Sequence, residues 1–190
     1  MQNKNKFNKD LQESNICIKC GMCCNGTLFF WAKIYEGETI DNELEMKRVQ
    51  IKHKDTEGLS LPCSYLKDSV CSIYYSSNPQ RPLICNSFKC KLLKKYEKRE
   101  ISYENALMII ENTKALVANF DNKIKNSFPD IASKSIQVKI RRLNEKHNES
   151  LTQIAFRKNY GKILLDSLIL NKMFEKYFIK AEIITKGTNT

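Results

Sequence analysis

From residue 102 onward, apolar positions recur at the spacing that builds one face of an α-helix. Ala106, Ile109, Ile110, Val117, Phe120, Ile124 and Phe128 fall on one stripe, Ser102 stands where an N-cap belongs, and Pro129 marks the end. A second helical stretch is predicted from about Ile131 to Lys146. Ser150 with Gln153 reads as the capping box of a third, running through Ile154, Leu164, Leu168 and Phe178. These stripes are core-facing surfaces, not cofactor motifs.

The earlier part of the chain lacks that period. Leu28 to Tyr35 is β-branched and aromatic and is ended by Gly37, which predicts a strand and a turn. Asp41 to Lys52 is charged, with Leu44, Val49 and Ile51 loosely spaced, and predicts a short surface helix. Leu61 to Leu66, a Lys67-Asp68-Ser69 turn and Val70 to Tyr74 predict a hairpin. Pro79 and Pro82 then break the structure, and a helix is expected to resume after Cys85. Residues 1–14 and 183–190 are polar and read as tails. The division expected is a module at 15–98 and a helical cap at 101–182.

With 190 residues, 42% of them hydrophobic, the chain can bury a core. No apolar run follows the lysines of MQNKNKFNKD, and the run ILLDSLIL is short and broken by Asp166, so neither secretion nor membrane spanning is expected. A net charge of +11, from 32 Lys and Arg against 21 Asp and Glu, would attract phosphate backbones. A solvated lysine-rich face explains it more simply, and deprotonated cysteines would reduce it.

All eight cysteines precede residue 91: Cys17, Cys20, Cys23 and Cys24 in CIKCGMCC, then Cys63, Cys71, Cys85 and Cys90. C-x2-C spacing lets two thiolates turn onto one ion or cluster, and Gly21 permits the turn that brings a third close. In a reducing cytosol such a set argues for metal ligation over a disulfide framework. Zinc asks for four tetrahedral ligands, usually in two pairs, whereas C-x2-C-x2-C with a remote cysteine suits a 4Fe-4S cluster. Cys17, Cys20 and Cys23 match the latter pattern, although no proline follows Cys85 or Cys90. Adjacent Cys23 and Cys24 cannot easily point the same way, so the pair serves two sites or two edges of one cluster. The fold class expected is therefore α+β: a small, irregular, cysteine-rich metal-binding module with a β-hairpin, followed by a C-terminal helical region.

The words CIKCGMCCNGTLF, LPCSYLKDSVCSIY and RPLICNSFKCKLL, in that order, resemble the cysteine-cluster proteins of the YkgJ type, zinc- or iron-chelating domains. The resemblance covers about Cys17 to Leu93 and implies chelation through all eight cysteines. One branch of that family, the flagellin lysine N-methylases, looks like iron-sulfur enzymes acting on protein lysines. Two departures stand out: the link YSSNPQ is longer than usual, and Asn86 follows Cys85 where an arginine is common. Arg81 remains, able to hydrogen-bond cluster sulfurs or to hold a carboxylate.

His53 and His147 lie in charged surroundings and read as solvated imidazoles. Phe29, Phe30 and Trp31 read as a shield for the metal rather than a platform for a base. The basic run KCKLLKKYEKRE carries Leu92, Leu93 and Tyr96 as a packing face. No P-loop, dinucleotide fingerprint or Ser-His-Asp set is present. The leading expectation is a cytoplasmic protein holding an iron-sulfur cluster or zinc. Alternatives are an iron-sulfur enzyme that modifies a protein or peptide substrate, as in lysine methylation, and a zinc module that binds nucleic acid. No membrane partner is expected.

Overall fold

The computed structural model describes residues 16–51, 56–68, 70–76 and 81–179. In chain order these form a helical stretch at residues 16–20, β1 (Trp31–Lys33), α1 (Asn42–Glu45), β2 (Arg48–Ile51), β3 (Thr56–Ser60), β4 (Leu66–Lys67) and β5 (Val70–Cys71). Then come α2 (Leu83–Ser87), α3 (Lys91–Glu97), α4 (Tyr103–Ser127), α5 (Ile136–Glu149) and α6 (Gln153–Tyr177). The class is α+β, as the pattern predicts. The expected tails fall outside the described residues, as does His53.

Helix α4 follows its stripe. Ser102 accepts a hydrogen bond from the Asn105 amide at 3.2 Å, and Ala106, Ile110, Phe120 and Ile124 are buried while Ile109 and Val117 are partly so. The helix stops at Ser127, just short of Pro129. Helix α5 begins at Ile136, later than the pattern suggests, because the chain first turns at Phe128 to Ile131 and then wraps Ser135 against Gly26.

For α6 the capping box does not form: Ser150 closes α5, and Thr152 precedes α6 without a side-chain cap bond. Its inward stripe is Ile163, Ser167, Leu170 and Phe174, whereas Ile154 and Leu168 are 84% and 60% exposed. The helix carries apolar residues on more than one face, so period alone does not say which one packs. Helices α4, α5 and α6 pack on one another, and α3 packs on α4 and α6. Asp166 on α6 takes Lys123 of α4 at 2.6 Å, and Lys139 of α5 pairs with Asp121 of α4.

Strands β1, β3 and β2 form an antiparallel sheet in that order, with Ala32 opposite Leu59 and Val49 opposite Gly58. This corrects the expected helix over Asp41 to Lys52. Asp41 accepts hydrogen bonds from the Glu43 and Leu44 amides and starts a helix, but that helix lasts only to Glu45. Arg48 to Ile51 then alternates polar and β-branched residues, a period of two, and pairs with β3. Ile34, Leu44 and Leu59 form the small core beneath this sheet. Gly58 is required there, since a Cβ would lie 2.7 Å from Cε3 of Trp31.

The second sheet is the hairpin β4–β5, shorter than predicted: Leu66 pairs with Cys71 and Lys67 with Val70. Cys63 lies just ahead of it in a turn, its carbonyl accepting from the Leu66 amide. A further correction concerns α2, which begins at Leu83 and contains Cys85 instead of following it. The main core joins the two halves of the chain, with Ile16, Met22, Leu28 and Leu92 packed among Phe120, Leu143, Phe174 and Phe178.

Candidate metal centre

The CIKCGMCC segment folds back on itself. Residues 16–20 are helical, Gly21 takes φ 62°, and its amide bonds the Cys17 carbonyl while its own carbonyl accepts from the amides of Cys24 and Asn25. That left-handed conformation suits glycine, and it reverses the chain so that Cys23 and Cys24 return toward Cys17 and Cys20. Buried Met22 anchors the turn in the helical core. The Cys63 amide donates to the Cys24 carbonyl at 2.8 Å and fastens the hairpin region to it. Cys71 comes from β5, Cys85 from α2, and Cys90 caps α3 with its sulfur accepting from the Leu93 amide at 3.4 Å.

All eight cysteines are free thiols, and all eight line one cavity of about 970 Å³. The elements that bring them there are distant in sequence but meet around the returning turn. Among the described residues no three His, Cys, Asp or Glu side chains stand close enough to form a ready-made site for one ion. Any bound ion or cluster has to draw the thiols inward.

Burial controls the protonation of six of these thiols. It pushes Cys20 up to about 12 and Cys85 up to about 12, and it raises Cys23, Cys24, Cys63 and Cys90 as well. Neighbouring thiols add to the effect at Cys23 and Cys24, because charging one sulfur penalises the next. Opposing this, backbone amides donate to sulfur: Met22 to Cys20, Tyr65 to Cys63, and Leu92 and Leu93 to Cys90. Amides aimed at sulfur stabilise a thiolate and orient it. Lys114, Lys47, Lys94 and Arg81 add positive charge beside Cys20, Cys63, Cys90 and Cys85 respectively. Packed, mutually repelling thiols with amide donors and cations around them fit a zinc- or iron-thiolate centre, because the metal supplies the charge that makes deprotonation favourable.

Phe29, Phe30 and Trp31 line the same cavity, and Phe29 meets Phe88 edge to face at 5.2 Å. Arg81 stacks its guanidinium over Tyr74 at 4.0 Å, beside the Cys85 thiol. His147 is partly buried; its Nε2 accepts from Arg157 at 3.0 Å and its ring meets Phe156. It is not a freely solvated imidazole, and it does not line the cavity. In the basic run, Leu92 and Leu93 are buried as the packing face while Lys94 approaches Cys90. Lys47, Lys114 and the α5 side chains Gln137, Arg141, Asn144 and Asn148 also border the thiols or line the cavity, and sequence reading missed them. On paper they belong to ordinary polar helix faces, with nothing in their spacing to relate them to the cysteines.

No curated protein and no solved structure matches the chain. Residues 16–116, more than half of its length, match the CxxCxxCC family, described as "Putative zinc- or iron-chelating domain". The match spans every cysteine and runs into α4. With eight free thiols around one cavity and this family match, the chain belongs to the CxxCxxCC family of zinc- or iron-chelating domains.

Proposed function

We propose that the chain is a cytosolic metalloprotein that holds iron, as iron-sulfur, through Cys17, Cys20, Cys23, Cys24, Cys63, Cys71, Cys85 and Cys90. The observation carrying this reading is the convergence of all eight free thiols on one cavity. Iron-sulfur is preferred to zinc because Cys17, Cys20 and Cys23 keep the C-x2-C-x2-C run typical of clusters, with Cys90 as a remote fourth ligand. Free thiols suit a reducing compartment. No helix among the described residues is long and apolar enough to cross a membrane. In this reading residues 15–98 form the metal module and 101–182 brace it.

Bound metal supplies folding free energy here. Among the described residues the sheet's own buried core is Ile34, Leu44 and Leu59, too little to hold an irregular module with short strands. Protein purified without oxygen should be brown, with thiolate-to-iron charge-transfer absorption. A colourless protein carrying stoichiometric zinc overturns the iron assignment. Cys20→Ser and Cys85→Ser should each lose metal and solubility, whereas His53→Ala should change neither.

A second reading, an iron-sulfur enzyme acting on a protein or peptide, draws on the reach of the cavity. It extends past the thiols to Gln137, Arg141, Asn144 and Asn148 on α5, and Asn171 Oδ1 is buried at its wall without a hydrogen-bond partner among the described residues. A polar wall facing a metal leaves room for a substrate. A change in the cluster's electron spin resonance on adding S-adenosylmethionine and a lysine peptide supports this reading; an unchanged signal removes it.

A further inference from the structure

Cys23 and Cys24 are consecutive, so their side chains leave the backbone in different directions. The remaining thiols sort themselves around that divergence. Cys20, Cys23 and Cys90 pack against the core built by the long helices, whereas Cys63 packs against the small core of the sheet. Cys17 and Cys20 lie one turn apart on the helical stretch at residues 16–20, while the Cys24 carbonyl takes the Cys63 amide and Cys71 pairs with Leu66 on the hairpin that the Cys63 turn opens. In the same sense, Cys20, Cys90 and Cys17 bear electrostatically on Cys23, and Cys85, Cys63 and Cys71 on Cys24. The other members agree: the thiols that raise Cys20 are Cys90 and Cys17, and those that raise Cys85 are Cys63 and Cys71. Cys24, adjacent in sequence to Cys23, also bears electrostatically on Cys23 and is affected by Cys20, as expected of the residue where the sets adjoin.

We propose that the chain holds two separate four-sulfur metal centres, one on the helical side from Cys17, Cys20, Cys23 and Cys90, the other on the sheet side from Cys24, Cys63, Cys71 and Cys85. This rests on the chelation reading above and deepens it, since either a zinc ion or an iron-sulfur cluster is complete with four thiolates. Along the chain the two sets meet twice, at the Cys23–Cys24 peptide and across the short segment from Cys85 to Cys90.

Charge follows the same division. Four thiolates around a divalent ion, or around a doubly positive cluster core, leave about two negative charges. On the helical side Lys114 stands by Cys20 and Lys94 by Cys90. On the sheet side Lys47 stands by Cys63 and Arg81 by Cys85, but Asp41 and Glu38 oppose them there. Cys85 is also the one cysteine of the eight whose residue surface is exposed, although its thiol, at the cavity lining, is desolvated enough to be raised. The sheet-side centre is therefore the more weakly held and the more open to solvent.

Alkylation of the metal-loaded protein with iodoacetamide, read cysteine by cysteine in intact and digested chains by mass spectrometry, tests the division. When ethylenediaminetetraacetate has removed half the metal from the wild-type protein, the expected chains carry four labels, on Cys24, Cys63, Cys71 and Cys85, with the other four protected. In Cys90→Ser with unchanged helix content, metal falls to half and labels appear on Cys17, Cys20 and Cys23 alone; Cys71→Ser uncovers Cys24, Cys63 and Cys85 instead. Half-depleted wild-type chains whose labels mix the two sets overturn the division, as does loss of all metal in both folded variants. Those results leave chelation standing. Equal labelling of all eight cysteines with and without metal removes the chelation reading itself, so the two failures are distinguishable.

Discussion

The pairing of Lys139 with Asp121 gives the most quantitative prediction, because its two halves respond oppositely to mutation. The Lys139 side chain is only 5% exposed and Asp121 is 20% exposed. Asp121 also holds Lys125 at 2.7 Å, one turn along α4. Asp121→Ala therefore strands a buried ammonium, and breaking such a buried pair costs about 3–5 kcal/mol. Water entering the vacated carboxylate position puts the expected loss at the lower end, about 3 kcal/mol.

Lys139→Met removes the buried charge and leaves Asp121 with Lys125, so stability should change by less than about 1 kcal/mol. Urea denaturation followed by far-ultraviolet circular dichroism reads both, and the Asp121→Ala loss corresponds to about 6–12 °C in Tm. The pH profile gives a further check. Burial would raise the Asp121 carboxyl, but hydrogen bonds from Lys125 and Lys139 outweigh it and hold the group below the usual carboxylate range. A depressed carboxyl contributes stability above its unfolded pKa of about 3.9, and that contribution disappears as pH falls through the folded value. Asp121→Ala lacks this acid-side step. A loss below about 1 kcal/mol for Asp121→Ala, or an equal loss for both variants, refutes the reasoning.

Three further predictions concern the caps, the glycines and the thiols. Ser102→Ala removes the hydrogen bond to the Asn105 amide and should cost about 1 kcal/mol in the same urea assay. Gly26→Ala should cost about 1–2 kcal/mol, because φ is 84° and the new Cβ would lie 3.4 Å from Ser135 Cα; Gly161→Ala, in open space on α6, should gain about 0.5–1 kcal/mol. Burial keeps Cys20 and Cys85 protonated at neutral pH, so metal must displace their protons and binding tightens as pH rises. Competition against a chelator between about pH 6 and 8 should show up to tenfold tightening per pH unit for each proton released, and a flat profile contradicts it.

Most of the helical region can be read from the chain because its signals are local and redundant. The α4 stripe, the Ser102 cap and the stop before Pro129 agree with one another. The cysteine set is equally visible, since spacing and glycine placement alone bring Cys17 to Cys24 together. Other features are decided by contacts remote in sequence. Arg48 to Ile51 becomes a strand only because Thr56 to Ser60 lies beside it, and Gly58 is there to let Trp31 cross. Helix α6 offers two plausible faces, and the packing of α4 and α5 selects the one with Ile163 and Phe174. The cations beside the thiols come from α1's flank, α3 and α4, and no spacing in the chain relates them to the cysteines.

Metal held by thiolate underlies the fold and the function proposed for this chain, and counting metal and acid-labile sulfide per chain, in protein prepared without oxygen, tests it most directly. The prediction is iron with a nearly equal amount of sulfide, both falling to about half in folded Cys20→Ser. Zinc without sulfide would keep chelation and remove the cluster. A soluble, folded chain with neither iron nor zinc above trace would contradict the whole account.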